Sequence, residues 1–345
     1  MSVLMNSNRE LVYKACRSYR PSMQQLTIEE IITSTGKHGD NHFKIKLDET
    51  YYSLRLIPYT RYKDSTFSLL TDAVLEEQLK YGDYLVGKGI PFMRRTELQQ
   101  NRYFTKIHHD GAEWRCCMFE WLEGEHITHN TIRTAERMGE FAREFHDVSL
   151  TYASRVLPNV RHTTAYQKWV NSIRTYLKQA IPTQTRRLLT SYIETVQQHI
   201  DTANHIQIRP ELKIITSDLN SLNILWDKQE KIIGIIDHEH IAYSDRIQDL
   251  AWLIKWYSRI EGIESHHVSP SLASAVLKGY GAKSIMKNED KERLRALLWL
   301  SGCFNYNFVR ATMDVLNQSV EGYDKLEQHL SRYMERGKVL VGLIK

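Results

Sequence analysis

One stretch constrains this chain more than any other. Ile214 to His240 reads IITSDLNSLNILWDKQEKIIGIIDHEH. An apolar approach (Ile214, Ile215) leads to Asp218, and Asn223 follows five residues on. A second apolar run, Ile224 to Trp226, precedes a polar turn from Asp227 to Glu230. A third, Ile232 to Ile236, ends on Asp237. Short apolar runs bounded by turn residues read as strands. Two short strands therefore bracket a loop and bring an Asp, an Asn and a second Asp toward one place.

The 345 residues, 42% of them hydrophobic and 25% charged, suit a globular chain of two domains or lobes. No apolar run approaches the length of a membrane span, so no membrane partner is expected. The N-terminus carries charge too early, and its apolar core is too short, for a signal peptide. Cys16, Cys116, Cys117 and Cys303 lack metal-ligand spacing, which fits free thiols in a reducing cytoplasm. Net charge is only +5 and the basic residues are scattered, so no nucleic-acid partner is expected.

Residues 7 to 20 have helical spacing (Leu11, Val12, Ala15, Cys16), and a second short helix is expected over Met23 to Ile32. Ser34 to Asp40 is a loop with two glycines, able to lie over phosphates because no side chain blocks its N–H groups. Period-two patterning then predicts a hairpin of Asn41–Leu47 and Tyr51–Ile57. A helix over residues 69 to 88 follows, then two strands around the turn His109-Asp110-Gly111. From Asn130 onward the pattern is largely helical, with helices expected at 130–147, 164–180, 184–204, 249–259, 269–280, 291–313 and 320–343. The fold class is α+β and bilobal: a small antiparallel-sheet N-lobe and a large, mostly helical C-lobe. The expected divisions are residues 1–30 (helical extension), 31–122 (nucleotide-binding N-lobe) and 123–345 (helical C-lobe with catalytic loop and acceptor site).

Phosphoryl transfer from a nucleotide needs a cation on the phosphates and carboxylate or amide oxygens for Mg²⁺. It also needs a carboxylate near the attacking hydroxyl and a dry slot for the base. Candidates for each occur here in chain order. TSDLNSLNILWD followed by IIGIIDHEHIAYSDRIQDLAW resembles the catalytic region of the aminoglycoside phosphotransferase and choline kinase-like superfamily, whose fold is protein kinase-like. That family carries HGDLxxxNxL, a strand ending in IDxE, and then GDxxxDLA. The resemblance runs from about residue 31 to the C-terminus. The N-terminal helix and the LRL strand are also similar to the spore-coat and homoserine-kinase-like branches.

The resemblance implies an ATP/Mg²⁺-dependent O-phosphotransferase. Its acceptor would be a small hydroxylated molecule: an aminoglycoside or related antibiotic, an aminoalcohol or a sugar-like metabolite. ATP or GTP would be the donor, since backbone hydrogen bonds to the base do not fix its identity. Asp218 would orient the acceptor hydroxyl, Asn223 and Asp237 would ligate Mg²⁺, and Glu239 would support that cluster. Ser53 and Arg55 match the small residue under adenine and the phosphate-binding cation, with Lys44 or Lys46 as substitutes. Glu77, or else Glu76, would hold Arg55 from the following helix. Backbone groups around Glu120 and Leu122 would pair with the base. His146, Asp245 and Asp249 read as residues that brace or cap the loops.

Two positions depart from the family pattern: Thr216 stands at the usual His, and Arg55 at the usual Lys. Both also fit a non-catalytic kinase-like protein of spore-coat type. A protein kinase is disfavoured, because Asp237 to Asp249 is too short for a peptide-seating segment. Glu261, Glu264, Asp314 and Glu321 are candidate acids for a polycationic acceptor. Trp252, Trp256, Tyr257, Phe304, Tyr306 and Phe308 are candidate pocket aromatics or core.

Overall fold

A computed structural model describes residues 2–33, 40–61, 70–98, 102–262, 265–303, 306–317 and 322–344. The chain separates into two compact units. One comprises residues 1–125, 154–158 and 225–241, and the other residues 126–153, 159–224 and 242–345.

The first unit is built on a five-stranded antiparallel sheet ordered β1-β2-β3-β5-β4. Its strands are β1 (Leu26–Thr33), β2 (Asn41–Leu47), β3 (Thr50–Pro58), β4 (Thr105–His109) and β5 (Ala112–Glu120). Alternation decides which face is buried. Phe43, Ile45 and Leu47 of β2 and Tyr52, Leu54 and Leu56 of β3 point into one core. The helix α1 (Ser2–Tyr19) closes that core with Leu11, Val12, Ala15 and Cys16, and the Tyr19 hydroxyl donates to the Cys116 carbonyl at 2.7 Å. The opposite face carries His42 and Lys44 of β2 and Ser53 and Arg55 of β3, all half-buried. Because β3 lies between β2 and β5, Arg55 sits mid-sheet, paired with His42 on one side and Cys117 on the other. The β4–β5 turn places Asp110 at φ 49° and Gly111 at φ 74°, the left-handed conformations such a tight hairpin requires.

The expected helix over Met23 to Ile32 is a strand instead. Its β1 pairing slips between Ile28 and Glu30 and again between Ile31 and Thr33. The slips break the two-residue alternation and leave Ile28 and Ile31 three apart, a spacing that mimics a helix.

The helix α2 (Asp72–Gly87) is capped by Thr71, whose hydroxyl accepts from the Val74 N–H. The unit is completed by the β7 (Ile224–Trp226) and β8 (Ile232–Ile235) hairpin, the strand pair expected from the central stretch. It is tied on by Met93 N–H to the Ile235 carbonyl (3.0 Å) and by reciprocal 2.9 Å bonds between Glu125 and Trp226.

The second unit is mostly helical. It contains α3 (Ile132–Ser149), α4 (His162–Tyr176), α5 (Thr183–His205), α6 (Arg246–Tyr257), α7 (Pro270–Gly279), α8 (Ala282–Ile285), α9 (Asn288–Cys303), α10 (Tyr306–Asn317) and α11 (Gly322–Val341). The single helix expected over 291–313 is two elements, α9 and α10, on either side of residues outside the description. The helix α3 opens with a Thr131–Thr134 capping box. It crosses α7 at Gly139 and Gly279, where a Cβ would run into the Val276 and Glu136 carbonyls. A short antiparallel pair, β6 (Lys213–Thr216) with β9 (Ala242–Asp245), leads into the Asp218 loop and into α6. The Asp245 carboxylate caps α6 through the Ile247 and Gln248 N–H groups and binds Arg293 in two places.

Candidate active site

In the first unit, Asp237 leaves β8 in an Asx turn: its Oδ1 accepts the Glu239 N–H at 3.0 Å. The same oxygen accepts from Arg55 Nη1 at 3.1 Å. Arg55 Nη2 lies 2.8 Å from Glu239 Oε1. Glu239 is buried and also pairs with Arg61, which reaches Asp40 in turn. Gln78 of α2 donates to the Glu239 and Ile241 carbonyls, fixing that segment. Burial alone would raise the Glu239 pKa, but Arg55 and Arg61 outweigh it and bring the value down to about 2. Glu239 is therefore ionised, and it supplies the carboxylate that the sequence reading sought for Arg55 from α2. Glu77 lies half-buried on α2, and Glu76 pairs with Lys80 at 2.7 Å.

The remaining nucleotide-site candidates share this unit. Ser53 Oγ meets His42 Nε2 at 2.7 Å. Burial and the neighbouring Arg55 push His42 down to about 3, so its ring is neutral. Lys44 lies over the Trp121 ring at 4.3 Å, and Lys46 pairs with Glu49 at 2.9 Å. Glu120 donates its N–H to the Arg94 carbonyl, and Trp121 donates to Tyr51. The Leu122 side chain fills the space over Gly234 of β8 that any Cβ there would take. Of the expected glycine loop, Ser34 to Asp40, residues 34–39 lie outside the described residues.

In the second unit, Asp218 is half-buried, and its Oδ1 accepts from the Trp252 indole N–H at 2.7 Å. Its loop is held from below by the Tyr257 hydroxyl, which donates to the Leu219 carbonyl at 3.0 Å. Asn220 turns the chain by accepting the Leu222 N–H at 2.8 Å. Asn223 Nδ2 donates to the Asp218 carbonyl at 2.8 Å, which directs the amide oxygen to the other side. Thr216 donates its hydroxyl to the Ser217 carbonyl at 3.2 Å. The imidazole of His146 is fully buried and bridges Asp249 (2.7 Å) and the Tyr280 hydroxyl (2.7 Å), a bracing role.

The pocket candidates divide. Trp252 and Trp256 meet edge to face at 6.0 Å, whereas Phe308 is core, stacked on Tyr192 at 4.9 Å. Tyr257 is buried. Phe304, Glu264 and Glu321, and the side chain of Tyr306, lie outside the described residues. Glu261 is 64% exposed and pairs with His267, and Asp314 is exposed.

No cluster of three or more His, Cys, Asp or Glu arranged for a metal occurs among the described residues. Carboxylate and amide oxygens are the hard donors that a divalent cation keeping water and phosphate ligands takes. Arg61, Asp40, Gln78 and Trp252 are site residues that the sequence reading missed or left among generic pocket aromatics.

A sequence model of the phosphotransferase enzyme family matches residues 65–297. The chain belongs to that family. No curated relative matches it in sequence. Solved structures share its fold. An amicoumacin kinase in complex with AMP-PNP, Ca²⁺ and Ami is 14% identical with a TM-score of 0.66, covering 99% of this chain and 96% of its own. The microcompartment-associated aminopropanol kinase is 14% identical with a TM-score of 0.63, at 97% and 98% coverage. Spectinomycin phosphotransferase APH(9)-Ia, in complex with ADP and spectinomycin, is 13% identical with a TM-score of 0.60, also at 97% and 98%. The kinase-like fold, a small antiparallel sheet with a mostly helical remainder, is thus that of a small-molecule phosphotransferase family. No described helix is long and apolar enough to cross a membrane.

Proposed function

We infer that this protein transfers the terminal phosphoryl group of ATP or GTP to a hydroxyl of a small molecule. Antibiotics, aminoalcohols and sugar-like metabolites are the classes to test. The observation that carries this reading is the Asp218 carboxylate, fixed by an indole N–H on a loop whose Asn223 is tied to the same residue's carbonyl. An indole donor orients the carboxylate without neutralising it, so it remains an acceptor for a hydroxyl hydrogen.

The hydroxyl oxygen forms the new bond to the terminal phosphorus as the bond to the bridging oxygen breaks. The nucleoside diphosphate departs and the hydroxyl proton passes to Asp218. Arg55 neutralises phosphate charge with a planar guanidinium held in place by Glu239. Ser53 and the backbone at Glu120 and Leu122 take the base, with Glu77 as further support from α2. Asn223 and Asp237 would hold Mg²⁺, which when bound neutralises the phosphate oxygens.

The test is a panel of antibiotics and hydroxylated metabolites with ATP or GTP and Mg²⁺, read by mass spectrometry for added phosphate. Asp218→Ala should abolish product. Product at the wild-type rate from that variant would show Asp218 misassigned. No product, together with no thermal stabilisation by either nucleotide, would leave a non-catalytic kinase-like protein.

A further inference from the structure

Helix α2 meets the Asp237 segment through a buried polar side chain. Gln78 lies on a helix face that it shares with Val74, Leu75, Leu79 and Leu85. A leucine or methionine would fill that position without burying an amide, which costs free energy unless its groups are bonded. Gln78 Nε2 spends both hydrogens, one on the Glu239 carbonyl at 3.0 Å and one on the Ile241 carbonyl at 3.2 Å. Its Oε1 has no hydrogen-bond partner among the described residues, so the two carbonyls orient the amide.

The segment held in this way carries both carboxylates that meet Arg55. Its own closing bond, from the Ile241 N–H to the His238 carbonyl, is long at 3.5 Å. The bonds from α2 therefore hold a turn that its own bond closes weakly. Glu239 is committed at both ends of its main chain: its N–H holds Asp237 Oδ1 at 3.0 Å, and its carbonyl takes Gln78. Arg55 reaches Asp237 Oδ1 at 3.1 Å and Glu239 Oε1 at 2.8 Å. Arg61 grips the Glu239 carboxylate by charge, whereas Gln78 fixes the main chain that carries it.

We propose that Gln78 is a positioning residue for the nucleotide phosphates. Through this neutral side chain α2 acts on Arg55 in two steps, first by hydrogen bonds to the Glu239 main chain and then through the Glu239 carboxylate. Without the amide the turn shifts, and the guanidinium no longer lies where the phosphates need it. This rests on the phosphotransferase reading, in which Arg55 is the phosphate cation.

The experiment titrates the full chain calorimetrically with ATP and Mg²⁺ and, separately, with adenosine, which has no phosphate for Arg55. GTP and guanosine replace them if the wild-type chain prefers guanine. Gln78→Met keeps the volume and removes both donors. It should raise the dissociation constant for ATP by about tenfold, the scale of one hydrogen bond to a charged group, and leave that for adenosine unchanged. Gln78→His, which presents a single N–H, should recover part of the ATP affinity, and the same comparison with adenosine is made on it if Gln78→Met does not fold. Thr71→Ala, which removes the N-cap of α2, should lower the melting temperature and change neither dissociation constant. Equal losses for ATP and adenosine would show a structural role only and overturn the proposal. Wild-type affinity for ATP in Gln78→Met, or a comparable loss of ATP affinity in Thr71→Ala, would overturn it too. No binding of either nucleotide by the wild-type chain would instead remove the phosphotransferase reading, and the proposal with it.

Discussion

The surroundings of Asp237 and of Asp218 solve opposite problems. Around Asp237 the charges are closed on one another. Arg55, Arg61, Glu239 and Asp40 form a buried chain of alternating sign, with Gln78 pinning the backbone. Around Asp218 a neutral donor, the Trp252 indole, orients the carboxylate, and Asn223 ties the loop by donating to the Asp218 carbonyl. The first arrangement fixes a guanidinium by pairing it with carboxylates inside the unit. The second orients a carboxylate through a neutral hydrogen bond. A guanidinium between carboxylates is fixed by charge, whereas a carboxylate on an indole is fixed by the direction of one N–H.

That contrast can be broken at either end. The largest effect is expected from Asp218→Ala: phosphoryl transfer should fall by about 10²–10⁴-fold, the usual worth of a positioned base, with stabilisation by ATP retained. Single-turnover transfer and a thermal shift on the same preparation check both halves. Glu239→Ala should act on stability first. It strips a carboxylate from a buried and a half-buried guanidinium, so calorimetry should show a loss of about 3–5 kcal/mol. A neutral result would mean that the closed network is not what orders the first unit.

Trp252→Phe keeps the ring and removes only the indole donor to Asp218. It should lower kcat by about tenfold with little change in melting temperature, since a hydrogen bond to a charged group is worth about 1.5–3 kcal/mol. A shift in KM alone would place Trp252 in acceptor binding and not in orienting Asp218.

The pH dependence of Lys255 touches stability and not turnover. Its folded pKa, about 7, lies below the unfolded value, so the unfolded chain binds more protons between about 7 and the ordinary lysine range. Wild-type stability should therefore rise with pH across that window. Lys255→Met should be the more stable form below pH 7 and lose its advantage as pH increases. Parallel melting curves of the two proteins would show no convergence if Lys255 is well solvated.

The spacing of residues close in sequence made much of this protein legible. Alternation in Asn41–Leu47 and Tyr51–Ile57 gave the hairpin and the face on which Arg55 stands. The bond from Asn223 to the Asp218 carbonyl closes over five residues, and the Asp237 Asx turn over two, so both are written locally. The strand β1 was misread because two register slips gave it a helix-like spacing that only its partner strand resolves.

What the sequence could not show is which distant charges meet. Arg61 and Glu239 are 178 residues apart, and Trp252 lies 34 residues from Asp218. Ion pairs and indole contacts of that kind leave no periodic trace, because they depend on where loops arrive and not on local repeat. The sequence by itself thus determined the alternating strands, the helical remainder and the Asp, Asn, Asp order of the catalytic stretch. Tertiary structure alone decided that Glu239 pairs with both Arg55 and Arg61, and that the carboxylate of Asp218 meets the Trp252 indole. Short-range geometry is fixed by bond lengths and repeat, but charge matching is fixed by burial, which exists only once the chain has folded.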